Sequence, residues 1–154
     1  MESKRENNQS TFSISIAASL MLSTTAFAVD TKTTAGAPDL TSIRTRIDAK
    51  DFPGAIAELT PMLEASPSAD VYNLMGFSLR KSGDLKQAQT FYSKALDFDP
   101  SHKGALEYQG ELYLQIGDID RAKANLTKLA ALCPTGCEER GELEAKIEAA
   151  ATAN

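Results

Sequence analysis

The chain has 154 residues, with 16 Lys and Arg against 21 Asp and Glu, a formal net charge of -5, and one histidine. An acidic balance argues against a nucleic-acid binder, and two cysteines with one histidine are too few for a four-ligand structural zinc site or a two-histidine catalytic one. With 42% apolar, 24% charged and 6% aromatic residues and no Trp, the composition is that of an ordinary globular chain and excludes a membrane-spanning bundle.

Lys4 and Arg5 precede an apolar stretch from Phe12 to Leu22, and Ala26-Phe27-Ala28 puts small residues on both sides of Phe27, as a cleavage site requires. This is the layout of a secretory signal over residues 1–28. The apolar stretch is about half of the ~20 residues a spanning helix needs. The expectation is a periplasmic or secreted protein, cleaved after Ala28 and not held in a membrane afterwards. An uncleaved apolar arm is the other reading, because Glu2 and Glu6 dilute the positive charge. Cleavage leaves 126 residues with the same net charge of -5, a length that suits one domain. Residues 29–38 are small and polar, too poor in apolar surface to offset the entropy of ordering, and are expected as a flexible leader.

A 34-residue period organises the rest. Gly76, Gly83, Ala88, Ala95 and Pro100 recur 34 positions later as Gly110, Gly117, Ala122, Leu129 and Pro134. An earlier copy runs one residue short, with Ala55, Leu59, Met62 and Pro67 lying 33 positions before Ala88, Tyr92, Ala95 and Pro100, and with Ile43 in the glycine's place. Apolar residues at spacings of three and four, such as Tyr72, Met75 and Leu79 and then Ala88, Phe91, Tyr92 and Ala95, describe two amphipathic helices per copy. Gly76 and Ala88, like Gly110 and Ala122, are small enough to let the paired helices cross closely. Gly83 and Gly117 are expected to end the first helix at positive φ, and Asp51, Asp84 and Asp118 to cap the second. Pro67, Pro100 and Pro134 then stop it. The helices expected in chain order are 39–50, 52–65, 69–82, 85–98, 103–116, 119–132 and 138–150. The last, with Leu143, Ile147 and Ala150 on one face, reads as a capping helix that covers the apolar side of the third copy.

These residues resemble the tetratricopeptide repeat, whose pattern is a large apolar residue, Leu-Gly, Tyr, Ala, an aromatic, Ala and Pro. The stretch 69–101 fits best, with Tyr72, Met75-Gly76, Leu79, Ala88, Tyr92, Ala95 and Pro100, and with Tyr in place of the usual Trp. The stretch 103–136 has Gln109 where Leu is usual, and 39–68 is a degenerate copy that matches in its second helix. The resemblance implies an all-α fold, an α-solenoid of about three helix-turn-helix repeats closed by a capping helix over 137–150. It also implies a non-catalytic scaffold without a cofactor, binding a protein or peptide on the inner surface that the first helices line. Chaperone-binding relatives hold a terminal carboxylate with Lys and Asn on the first copy, Asn on the second, and Lys and Arg on the third. Here Leu40 and Arg44, Leu74, and Gly104 and Tyr108 stand in those places, so that clamp is missing.

Positions turned away from the packed stripe are the candidate contacts: Arg44 in the first copy, Asn73, Phe77, Arg80 and Lys81 in the second, and Glu107, Tyr108, Glu111 and Gln115 in the third. Phe77 is the sharpest, as an apolar anchor for a partner or as a residue packed on a neighbouring helix. Cys133 and Cys137 flank Pro-Thr-Gly before the capping helix. In an exported chain they are expected to form a disulfide, which would contribute about 2 kcal/mol by closing a short loop; two free thiols are the alternative. A thiol-redox protein using this pair is a weaker reading, because no thioredoxin-like pattern surrounds them. His102 is expected as an exposed loop residue. Asn125-Leu-Thr127 fits a glycosylation triplet but falls inside a helix. Self-association into a homo-oligomer is the main rival to partner binding, because the weak first copy leaves an imperfectly covered end.

Overall fold

The computed structural model describes residues 37–152; the signal expected over 1–28, and the leader as far as residue 36, lie outside the described residues. Among the described residues there are seven α-helices and no strand: α1 (Thr41–Asp48), α2 (Phe52–Ala65), α3 (Ala69–Lys81), α4 (Leu85–Phe98), α5 (Lys103–Gln115), α6 (Ile119–Leu132) and α7 (Glu138–Thr152). None is long and apolar enough to cross a membrane. Each lies within two residues of its expected span.

The turns inside the helix pairs are closed by the same device. Asp51, Asp84 and Asp118 cap α2, α4 and α6, accepting hydrogen bonds from the amides of Gly54, Gln87 and Arg121 at 3.0, 3.0 and 3.1 Å. Each bond satisfies one of the donors that a helix start leaves without an intrahelical partner. Gly83 and Gly117 precede two of these caps at φ +94° and +80°, a backbone region that suits glycine. In the first copy the equivalent place is Lys50, which takes φ +61° with a side chain attached, at a cost of about 1 kcal/mol. This turn cuts α1 short of the span expected for it. Pro67, Pro100 and Pro134 each stand two residues beyond the end of α2, α4 and α6. Pro61 lies inside α2, which continues through it.

Each helix packs on its neighbour in sequence, and α5 also lies against α3 and α7; Arg44 of α1 reaches Asp70 of α3 at 3.9 Å and Ile47 lines one cavity with Leu74 and Phe77, so α1, α3, α5 and α7 share one side. The core between the rows is made of fully buried side chains, with Leu59, Tyr92, Leu106, Leu112, Leu129 and Leu143 among the largest. A Cβ at Gly76 would stand 2.8 Å from Cδ1 and Cε1 of Tyr92. The close approach of α3 and α4 is therefore made over a flat ring, rather than over Ala88 as the spacing suggests. At Gly110 the atoms met are the Cδ carbons of Leu143, at 2.6 and 2.7 Å. The nearest atoms at the glycine of the third copy therefore belong to α7.

Candidate functional site

The row α1, α3, α5 and α7 carries a groove. Its middle is a cavity of about 280 Å³ lined by Ile47, Leu74, Phe77 and Tyr108, with Arg44 and Asp48 at its rim. Beside it lies a cavity of about 410 Å³ that shares Arg44, Leu74 and Tyr108 and adds Asp70, Asn73, His102, Gly104 and four glutamates, Glu107, Glu138, Glu139 and Glu142. On the other side a third depression is lined by Arg80, Glu111, Leu114, Gln115, Lys146 and Ala149.

The aromatic centre is held by its neighbours. The Phe77 ring lies 4.9 Å from that of Tyr108 and 6.4 Å, edge-on, from that of Phe52. Phe77 thus packs on α2 and α5 and also lines the groove, so both readings of this residue describe part of its surroundings. Lys81 stays exposed, with Nζ 5.3 Å from the Phe77 ring centroid.

Below the rings runs a charged network. Arg80 Nη2 lies 2.7 Å from Glu111 Oε2, with the two side chains 2% and 12% exposed. Arg80 Nε donates to the Tyr92 hydroxyl at 3.3 Å. Lys146 of α7 donates to Glu111 Oε1 and lies 3.7 Å from Glu107 Oε1 and 3.3 Å from Glu142 Oε2. Burial pushes the Glu107 carboxyl up to about 7, with Glu111 adding to the effect and Lys146 opposing it. Burial also acts most strongly on Glu111, pushing it upward, but Lys146 and Arg80 together outweigh it and leave the carboxyl below the usual range. The two glutamates, one turn apart on α5, are thereby driven in opposite directions.

Of the residues expected to face away from the packed stripe, Arg44, Lys81 and Gln115 are exposed, and Phe77 and Tyr108 are half-buried. Asn73, Arg80 and Glu107 are instead 5%, 4% and 7% exposed, and Glu111 is covered by Arg80 and Lys146. The cause is the row itself: α5 covers Arg80, and α7 covers the flank of α5. Of the residues the sequence reading leaves out of the groove, α7 supplies the largest group, and its Glu138, Glu142 and Lys146 stand four apart on one stripe. That spacing was the available signal, but it reads as the outward face of a cap unless the helix is known to join the row.

The remaining candidates resolve locally. His102 is not an exposed loop residue: its side chain is 15% exposed, and its Nδ1 caps α5 by accepting from the Ala105 amide at 3.0 Å. Its Nε2 faces Asp70 Oδ1 at 3.3 Å. Cys133 and Cys137 are bridged, with Cα atoms 5.9 Å apart, and Arg140 of α7 donates to the Cys133 and Pro134 carbonyls at 3.5 and 3.4 Å. Asn125 is 4% exposed, and its Nδ2 donates to the Leu106 carbonyl and Gln109 Oε1, each at 3.0 Å. The atom that glycosylation would modify is already used inside the fold.

Tetratricopeptide repeat family models match residues 69–102 and 105–136, two stretches that together make up less than half of the chain. The uncharacterized protein ycf37 of Pyropia yezoensis is 30% identical over 64 residues, which is 42% of this chain. The chain spans only about a third of that relative, 36% of its length. Among solved structures, the first TPR domain of human RPAP3 superposes with a TM-score of 0.64 at 18% identity, covering 73% of this chain and 88% of that one. The first TPR of Spaghetti (RPAP3) bound to the HSP90 peptide SRMEEVD gives 0.62 at 17% identity, covering 71% and 88%. PcrH, a Pseudomonas aeruginosa protein, in complex with the chaperone binding region of PopD gives 0.63 at 19% identity, covering 73% and 87%. At these identities the likeness is one of fold.

Proposed function

We propose that this tetratricopeptide-repeat chain is an exported scaffold that holds a protein or peptide partner along the row α1, α3, α5 and α7 and catalyses nothing. The observation that carries the reading is the continuity of the groove: Leu74, Phe77 and Tyr108, on two successive first helices, offer an apolar floor with polar groups on both sides. Such a surface suits an extended segment or a partner helix. Two proteins of similar fold are seen with peptide segments, RPAP3 with an HSP90 peptide and PcrH with a region of PopD. Export, with a bacterial periplasm as the setting, rests on the arrangement of Lys4, Arg5, the stretch Phe12 to Leu22 and Ala26-Phe27-Ala28.

A photocrosslinking amino acid placed at Phe77 or Arg44, against controls at exposed Lys86 and Lys123, tests the surface in the native envelope. Adducts from the groove positions alone are expected; adducts from the controls alone would move the interface elsewhere. Intact mass of the protein recovered from that fraction tests cleavage after Ala28. A second reading, self-association, is favoured by Phe98 and Leu132, apolar residues one repeat apart that are 58% and 43% exposed at the ends of α4 and α6. Light scattering separates the two, because a monomer at micromolar concentration counts against it.

A further inference from the structure

The larger cavity of the groove is acidic where the missing clamp would be basic. Asp70, Glu107, Glu138, Glu139 and Glu142 line it, and Arg44 is the sole Lys or Arg there. Arg44 lies 3.9 Å from Asp70, with both side chains more than half exposed, so it neutralises little in water. Lys146 serves Glu111, Glu107 and Glu142 from outside the cavity. Among the described residues Glu138 and Glu139 have no ion-pair partner, and they stand in the first turn of α7, at the positive end of the helix dipole. The elevated Glu107 carboxyl registers the same surroundings, burial foremost and then its acidic neighbours.

A second observation points to a ligand in the same place. Asn73, 5% exposed, lines the cavity, and its Oδ1 is buried without a hydrogen-bond partner. An orphaned acceptor is uncommon in a native fold. The Asn73 amide lines the cavity beside α5, where the N–H of a polypeptide laid along α3 would be the donor it lacks. Gly104 stands opposite, and a Cβ there would come within 3.3 Å of Asn73 Nδ2, so its lack of a side chain keeps that approach open.

We infer that the groove takes an extended, cationic segment of a partner polypeptide, with Lys or Arg against Glu138, Glu139 and Asp70, the peptide backbone on Asn73, and a neighbouring apolar side chain over Leu74, Phe77 and Tyr108. This rests on the groove reading above and adds the chemistry of the partner. Charge complementarity selects it: a carboxylate-rich or carboxylate-terminated segment would meet a lining in which carboxyl groups outnumber Lys and Arg, with Glu138 and Glu139 unpaired among the described residues.

The test is fluorescence anisotropy on the purified chain with a labelled, C-amidated octapeptide carrying Lys-Leu-Lys at its centre, and with its Glu-Leu-Glu counterpart. The basic peptide is expected to bind at least about ten-fold more tightly, and to weaken several-fold as NaCl rises from about 50 to about 300 mM. The double change Glu138→Gln, Glu139→Gln should lower its affinity about five-fold, and Arg44→Ala should raise it about two-fold, a gain that damage to the fold would not produce. Tighter binding of the acidic peptide, still weakened by Tyr108→Ala, overturns the charge assignment and leaves the groove as the binding surface. Binding of the basic peptide that ignores both the glutamate changes and Tyr108→Ala overturns the groove as well. Two further outcomes overturn the proposal by naming another occupant: binding that emerges only when residues 29–36 are removed, and a dimer that Tyr108→Ala dissociates.

Discussion

Gly76 of α3, Gly110 of α5 and Gly141 of α7 lie inside helices, and changing each to Ala gives three different results from one chemical step. In a helix interior the change is worth about 1 kcal/mol in favour of Ala. At Gly141 nothing lies within 4 Å of the added Cβ, so the whole gain should be seen, raising Tm by about 3–5 °C for a domain of this size. At Gly110 the methyl meets the ends of the Leu143 side chain at 2.6 and 2.7 Å. Leu143 can rotate but is fully buried, and its displacement should cancel the gain or turn it into a loss of about 1 kcal/mol. At Gly76 the methyl meets Tyr92 Cδ1 and Cε1 at 2.8 Å, where carbon atoms normally sit ~3.5–4.0 Å apart. The ring is flat, fully buried and tied to Arg80 through its hydroxyl, so it must move as a body. Overpacking of this kind costs about 1–3 kcal/mol, and Gly76→Ala should be the least stable of the three. Thermal and urea unfolding followed by far-UV circular dichroism give the order directly. Gly76→Ala at or above wild-type stability, or a loss in Gly141→Ala, would refute the reasoning.

Lys50→Gly should stabilise by about 1 kcal/mol, because it removes a side chain from left-handed backbone; an unchanged or lower urea midpoint counts against it. Glu107 titrates at about 7 in the folded protein against 4.5 without its surroundings, so the folded state keeps a proton that the unfolded state has lost between those values. Its contribution to stability is fully present below pH 4.5 and is lost as pH rises through 7. Glu107→Gln should match wild type near pH 4 and exceed it near pH 8 by about 1 kcal/mol, a figure reduced for solvent screening; parallel pH profiles would remove Glu107 as the cause. The double change Cys133→Ser, Cys137→Ser should cost about 2 kcal/mol and lower hydrogen-exchange protection in α7 before the rest. Equal protection in both proteins would show that the packing of Leu143 and Ile147 and the ties made by Arg140 and Lys146 hold α7 without the bridge.

The repeat was legible because its signals are local and recur. Asp84 and Asp118 cap whatever helix follows them, and Gly83 and Gly117 recur with them one period apart, so the turn is written twice in the same terms. The site was less legible because it depends on which helices share a row. Arg80 and Glu107 look solvent-facing on their own helices, and only the lateral contacts of α3 with α5 and of α5 with α7 cover them. His102 was misjudged for a different reason. A histidine is an uncommon cap, and nothing in its neighbours announces that Nδ1 will accept from Ala105.

The notch at Gly110 also fixes where the lid seats. Leu143 fills it as a key fills a lock, and α7 thereby takes the berth on α5 and α6 that the first helix of a further pair would use. A ladder lengthened by duplicating 69–102 in place would gain rungs while keeping its original lid on the final copy.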